Sequence, residues 1–323
     1  MSDKDNAVIL KEWAYIAIAK HSRKILKYEA GVLQDKDPEE LHQMRVGMRR
    51  LRSAIAGFAV AINLPKTVNE KNIAKIGRSL GKLRDLDVLL AALKDDYRPL
   101  LPVAEQKSLD KVLKSLNKQR KDELKQVRKT LNSKLYFNLK QELQNWLEQP
   151  QYQSIGDLSI YPVLPDLLLP QISQLLLHPA WLVGVELENG QIQCPKMLNS
   201  KAVEQLLEQE EPLLHDLRKS AKRTRYNLEL FDRFYDDTYH YYLKQIEKIQ
   251  EVLGQIQDCY VLREILEKVL KSAIAVKMPE LEALFSKIRD EKWQEWSILQ
   301  EEFLDDKTRR ELRQTIIWKP EVN

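Results

Sequence analysis

The sequence predicts an all-α protein of two helical bundles, produced by internal duplication and interrupted by one small β-hairpin near 181–194. Three observations predict it. The first is a repeat: His42-x2-Arg45-x3-Arg49-Arg50-x-Arg52 returns in the second half of the chain as His215-x2-Arg218-x3-Lys222-Arg223-x-Arg225. Leu80-Gly81-x3-Asp85 returns at the same offset as Leu253-Gly254-x3-Asp258, and the separation of His from Asp is equal in the two copies. A spacing kept through two helices and a loop marks one duplicated unit. The second is composition: 31% charged beside 43% hydrophobic residues, with nine glycines, suits helices. The third is apolar spacing of three and four residues through most of the chain.

Periodicity and breakers give the elements in order. Helices are expected at 7–34, 38–63, 67–95 and 103–147. Asp37-Pro38 reads as N-cap and first helical residue of the second, with Glu39 and Glu40 in its first turn. Pro150 and Tyr152 to Pro165 read as a linker. Leu167–Leu177 is a short apolar helix ended by His178-Pro179. Trp181–Leu187 and Gln191–Cys194 flank Asn189-Gly190, the strongest short-range hairpin signal. Helices resume at 200–235, 239–272, 279–303 and 306–317. This assigns 1–150 to the first four-helix bundle, 151–198 to a linker with short helix and hairpin, and 199–323 to the second bundle.

The duplicated part is the basic part. On a helix, His42, Arg45, Arg49 and Arg52 fall within roughly 80° of arc, a stripe about 15 Å long. Met44, Met48, Leu51 and Ile55 point the other way, and Arg50 flanks the stripe. His215, Arg218, Lys222 and Arg225 repeat the arrangement over Leu214, Leu217, Ala221 and Leu228. The second motif adds Lys71, Lys75, Arg78 and Lys82 along one face, opposite Ile73, Ile76, Leu80 and Leu83. Their matches in the second copy are Lys244, Lys248, Glu251 and Gln255, so the copies have diverged. Residues 1–150 hold 30 Lys+Arg against 19 Asp+Glu, whereas 151–323 hold 22 against 29. The net charge of +4 therefore hides a strongly basic half, which points to an anionic partner.

These residues also carry a family resemblance. Asp37-Pro38-Glu39-Glu40-Leu41-His42-Gln43-Met44-Arg45-Val46, Arg49-Arg50-Leu51-Arg52 and Leu80-Gly81-Lys82-Leu83-Arg84-Asp85-Leu86-Asp87-Val88-Leu89 resemble the CHAD domain, the conserved-histidine α-helical domain. With the second copy, the resemblance covers most of the chain. It implies two pseudo-symmetric antiparallel four-helix bundles around a basic central cavity that binds inorganic polyphosphate, without catalysis of its own. The cavity ligands it implies are Arg45, Arg49, Arg52, Lys75, Arg78 and Lys82, with Arg218, Lys222, Arg225 and Lys248. His42 and His215 are the histidines that name the domain, and Arg50 and Arg223 flank them. Glu251 and Gln255 depart from the pattern and weaken the grip expected of the second copy.

Other readings stay open at this point. An Arg/Lys stripe also serves as a solvated face laced with i,i+4 ion pairs, the reading favoured for Lys107, Lys111, Lys114, Lys118, Lys121 and Lys125. Each motif histidine is either a neutral helix histidine or a phosphate donor. Asp85 and Asp258 orient the arginines or cap a helix end. Gly81 and Gly254 indicate a close helix approach beneath the stripe. Trp293, Trp296, Phe285 and Phe303 read as core. A nucleic-acid backbone would suit the same stripe, although few aromatics lie near it for stacking. A polyphosphate-metabolising partner protein or a granule-adaptor role is a further reading.

Catalytic and membrane signals are poor. Gly77-x3-Gly81-Lys82-Leu83 is one residue short of a P-loop and lacks its Ser/Thr. Glu186-x-Glu188-x-Gly190 is not the Glu-x-Glu-x-Lys of the triphosphate-tunnel enzymes that accompany this domain, so that module is not expected here. Five histidines and two cysteines show no metal-ligand spacing, and no cofactor or metal is expected. Counting apolar runs finds none approaching the length of a membrane span, the N-terminus lacks an apolar leader core, and two cysteines make no framework. A cytoplasmic location, on polyphosphate granules if the resemblance holds, is the expectation.

Overall fold

The computed structural model describes residues 8–189, 191–193 and 198–317. It is all-α, apart from two pairs of very short strands. Two compact units form. The first comprises Met1–Leu100 with Leu109–Val163, the second Leu101–Ser108 with Leu164–Asn323.

In the first unit, α1 (Leu10–Gln34) packs along α2 (Pro38–Gly57), and α2 packs on α3 (Glu70–Ala91). Asp37 caps α2 as its sequence predicts, accepting from the Glu39 amide at 2.8 Å, with Pro38 in the first turn. Asn69 caps α3 by accepting from the Asn72 amide at 2.9 Å. Met44, Met48 and Leu51 of α2 are buried, as are Ile73, Ile76, Leu80 and Leu83 of α3. The apolar faces read from spacing are therefore the ones that meet the core. Arg120 ties the unit together, reaching Asp35 at 2.7 Å and Asp87 at 2.6 Å.

Three expectations need correction here. The helix expected over 103–147 is two helices, α4 (Val103–Leu131) and α5 (Lys134–Glu148). Ser133 starts the second by accepting from the Tyr136 amide at 3.3 Å. The helix expected to reach 63 ends at Gly57, and β1 (Ile62–Asn63) pairs antiparallel with β2 (Gln151–Tyr152). Part of the expected linker is helix, because α6 (Ile160–Leu176) begins early and runs through Pro165 and Pro170. By length and composition Ile160–Leu182 could cross a membrane, although no single apolar run in it is long. Leu164, Leu168, Ile172 and Leu175 in it are buried.

The second unit contains β3 (Glu186–Glu188), β4 (Gln191–Gln193), α7 (Ser200–Leu228), α8 (Asp237–Leu270), α9 (Ile274–Lys277), α10 (Pro279–Leu304) and α11 (Asp306–Ile317). α8 packs against α7 and α10. The hairpin pairs Glu186 with Gln193, and Asn189 turns it with φ 52°. Its first arm is shorter than expected, since Pro179–Leu182 forms a 3₁₀ turn that buries Trp181, whose indole donates to the Leu175 carbonyl at 2.7 Å. Gly190 and Cys194, the other hairpin positions, lie outside the described residues. Trp293, Trp296, Phe285 and Phe303 are buried, and Trp181 stacks on Trp296 and Phe303 at 5.2 and 5.4 Å.

The first turns of α4 belong to the second unit for a physical reason. The buried Glu105 carboxylate accepts from the Glu280 and Leu281 amides at 2.9 and 3.1 Å, satisfying donors that the start of α10 leaves open.

Candidate functional site

In the first unit the α2 stripe lies along α3. Positions 78, 81, 82 and 85 share one face of α3 by their spacing. Arg45 rests on that face. A Cβ at Gly81 would stand 3.5 Å from its Nε and Nη2, and Arg45 donates to Asp85 at 2.9 Å. What lies against Gly81 is a guanidinium rather than a second helix, at ordinary van der Waals distance from where a Cβ would stand, and Asp85 orients it. Arg78 and Lys82 are exposed beside it, as are Lys75 and Arg52, while His42, Arg49 and Arg50 are half-buried.

The electrostatics bring in cations that were not among the candidate ligands. The His42 imidazole is held below its ordinary value by burial, then by Arg84, Arg49 and Lys24, against Glu39. Lys24 of α1 is itself lowered by burial, Arg50, Lys20 and Arg49, against Glu39. Lys20, Lys24 and Arg84 therefore belong to the same positive neighbourhood. Lys20 and Lys24 stand four apart on α1, a signal present in the sequence but unremarkable without their neighbours.

His21, also on α1, is buried, and its Nδ1 has no hydrogen-bond partner. Burial, Arg50, Lys20 and Lys24 push it down to about 4. Between its ordinary 6.5 and about 4 the unfolded chain binds more protons, so stability falls as pH drops through that window and levels below it. The loss is on the order of 3 kcal/mol. Urea unfolding from pH 7 to 4 checks this: His21→Phe loses less stability over the window than wild type. Parallel profiles would contradict it.

The second unit repeats the geometry. Arg218 rests on Gly254, where a Cβ would stand 3.1 Å from its Nε and 3.3 Å from its Nη2. The Arg45–Gly81 contact thus has its counterpart at the matched positions of the second copy. Burial, Lys219 and Arg218 lower His215, against Glu211 and Asp216. Arg223 and Lys248 are exposed, and Lys222 is half-buried.

The surroundings differ. Arg218 shares its α8 face with Glu251 and Gln255, where Arg45 has Arg78 and Lys82. Arg225 keeps only 11% of its side chain exposed. It bonds Glu247 of α8, lies 3.5 Å from Glu229, and stacks 4.7 Å over Tyr226. It is engaged where Arg52 is exposed.

Lys107, Lys111, Lys114, Lys118, Lys121 and Lys125 of α4 are all exposed, and Lys125 pairs with Asp122 at 2.9 Å. No group of three or more His, Cys, Asp or Glu able to hold a metal occurs among the described residues. Burial pushes the Cys259 thiol up to about 12.

No curated protein matches the chain. Solved structures share its fold. The crystal structure of the CHAD domain from the plant Ricinus communis matches at 24% identity and TM-score 0.60, over 96% of this chain and 94% of that one. PptA from Streptomyces chartreusis matches at 11% identity and TM-score 0.61, over 95% and 99%. The family model for the CHAD domain matches residues 16–267, and the chain belongs to that family.

Proposed function

We propose that this protein binds inorganic polyphosphate along the cationic faces of α2–α3 and α7–α8, without catalysis of its own. The observation that carries the reading is the first unit's face, where Arg45, seated on Gly81 and oriented by Asp85, lies beside Arg78 and Lys82. Membership of a family associated with polyphosphate supports it. Polyphosphate is a linear polyanion with acceptor oxygens along its length. Guanidinium forks pair two oxygens at once, and lysines act as point charges. A cytoplasmic location on polyphosphate granules, with a polyphosphate-metabolising partner, is proposed with it.

A nucleic-acid backbone offers the same charge, and competition separates the two. Labelled polyphosphate bound to the protein is expected to be displaced by unlabelled polyphosphate, but not by duplex DNA or RNA at equal phosphate concentration. Equal displacement by all three would make the faces a general phosphate-backbone surface instead.

A further inference from the structure

Arg52 and Arg225 hold the same place in the repeat, yet their surroundings are opposite. Positions 56 and 74, on the helices bearing the first-unit stripe, are Ala56 and Ala74; the matched positions of the second copy are Glu229 and Glu247. Both of these acids pair with Arg225. Nothing else in the two motifs converts two alanines into two carboxylates aimed at one cation. A carboxylate offers a guanidinium the same kind of charged acceptor oxygen as a phosphate, so the Glu247 oxygen on the Arg225 Nη1 stands where a phosphate oxygen would. Its side chain is 43% exposed, against 22% for Glu229, so Glu247 has solvent to swing into.

We infer that Glu247 is a built-in competitor for Arg225: polyphosphate must displace it to engage the second unit, which leaves the first unit as the principal grip. This rests on the polyphosphate reading above and names residues that set the strength of that same site. The energetics fit a displaceable pair, because a half-exposed carboxylate loses little on returning to water. Glu251 and Gln255 act in the same direction by removing cations beside Arg218.

The test is a double-mutant cycle read by polyphosphate titration. Glu247→Ala is expected to tighten binding roughly five- to tenfold in the wild-type background and by much less in Arg225→Ala. Removing an acid raises affinity for any polyanion by long-range attraction, but that gain survives loss of Arg225, so the cycle isolates the displacement. Ala74→Glu is the reciprocal variant, expected to weaken binding by a similar factor by supplying Arg52 with a competitor. Because Glu247→Ala gains affinity, misfolding cannot mimic it. Equal gain in both backgrounds, or none, overturns the inference while leaving polyphosphate binding intact. No binding by wild type and variants alike would overturn the functional reading and the inference with it.

Discussion

Replacing Arg49 and Arg52 together by alanine is expected to lower polyphosphate affinity by about a hundredfold, and replacing Lys222 and Arg225 by only about tenfold. A charge-assisted hydrogen bond contributes about 1.5–3 kcal/mol, and about 1.4 kcal/mol is tenfold, so losing two arginines gives the first figure. The second is smaller because Arg225 already spends its guanidinium on Glu247 and Glu229, and gains less from a phosphate. Calorimetric titration of both variants beside wild type checks the order. Equal losses, or a larger loss in the second unit, would contradict the asymmetry of the two faces.

The second large effect concerns stability. Arg289 is fully buried, donating to Glu204 at 3.0 and 2.6 Å and to Glu282 at 3.0 Å, with its guanidinium 5.2 Å over the Tyr260 ring. Arg289→Met removes the cation, leaving Glu204 without it and Glu282 with only Arg263 at 3.9 Å. Breaking a buried pair from one side typically costs about 3–5 kcal/mol. Chemical unfolding should show a loss of that size. Replacing Glu204 and Glu282 by leucine in the same variant should recover much of it, since an apolar cluster of similar volume carries no desolvation penalty. A loss below about 1 kcal/mol would mean that water reaches the carboxylates once the arginine is gone.

Local signals were legible in the sequence, and contacts across elements were not. The Asp37-Pro38 cap, the apolar faces of α2 and α3 and the Asn189 turn depend on neighbours a few residues away, and each forms as read. The break at Ser133 was hidden because Leu131, Leu135 and Leu139 recur every four residues across it, near the helical period. The β1–β2 pair joins Ile62 and Asn63 to Tyr152 and Gln151, partners far along the chain that no periodicity records. At the candidate site, the repeat matches Arg45 with Arg218 and Gly81 with Gly254, and the structure sets each arginine against its glycine, more tightly in the second unit. The capture of Arg225 was not readable, because Glu247 is a neighbour only once α7 and α8 pack. Lys24 and Arg84 escaped for the same reason: their proximity to His42 is a property of the fold.

The most direct test of the central claim is calorimetric titration of polyphosphate into the full chain across a salt series. Affinity should fall between about 50 and 200 mM salt by roughly two to three orders of magnitude, the size expected when a handful of phosphates exchange counterions for arginines and lysines. Binding that ignores salt, or no binding at the lowest salt, would contradict the account and leave the cationic faces a solvated surface.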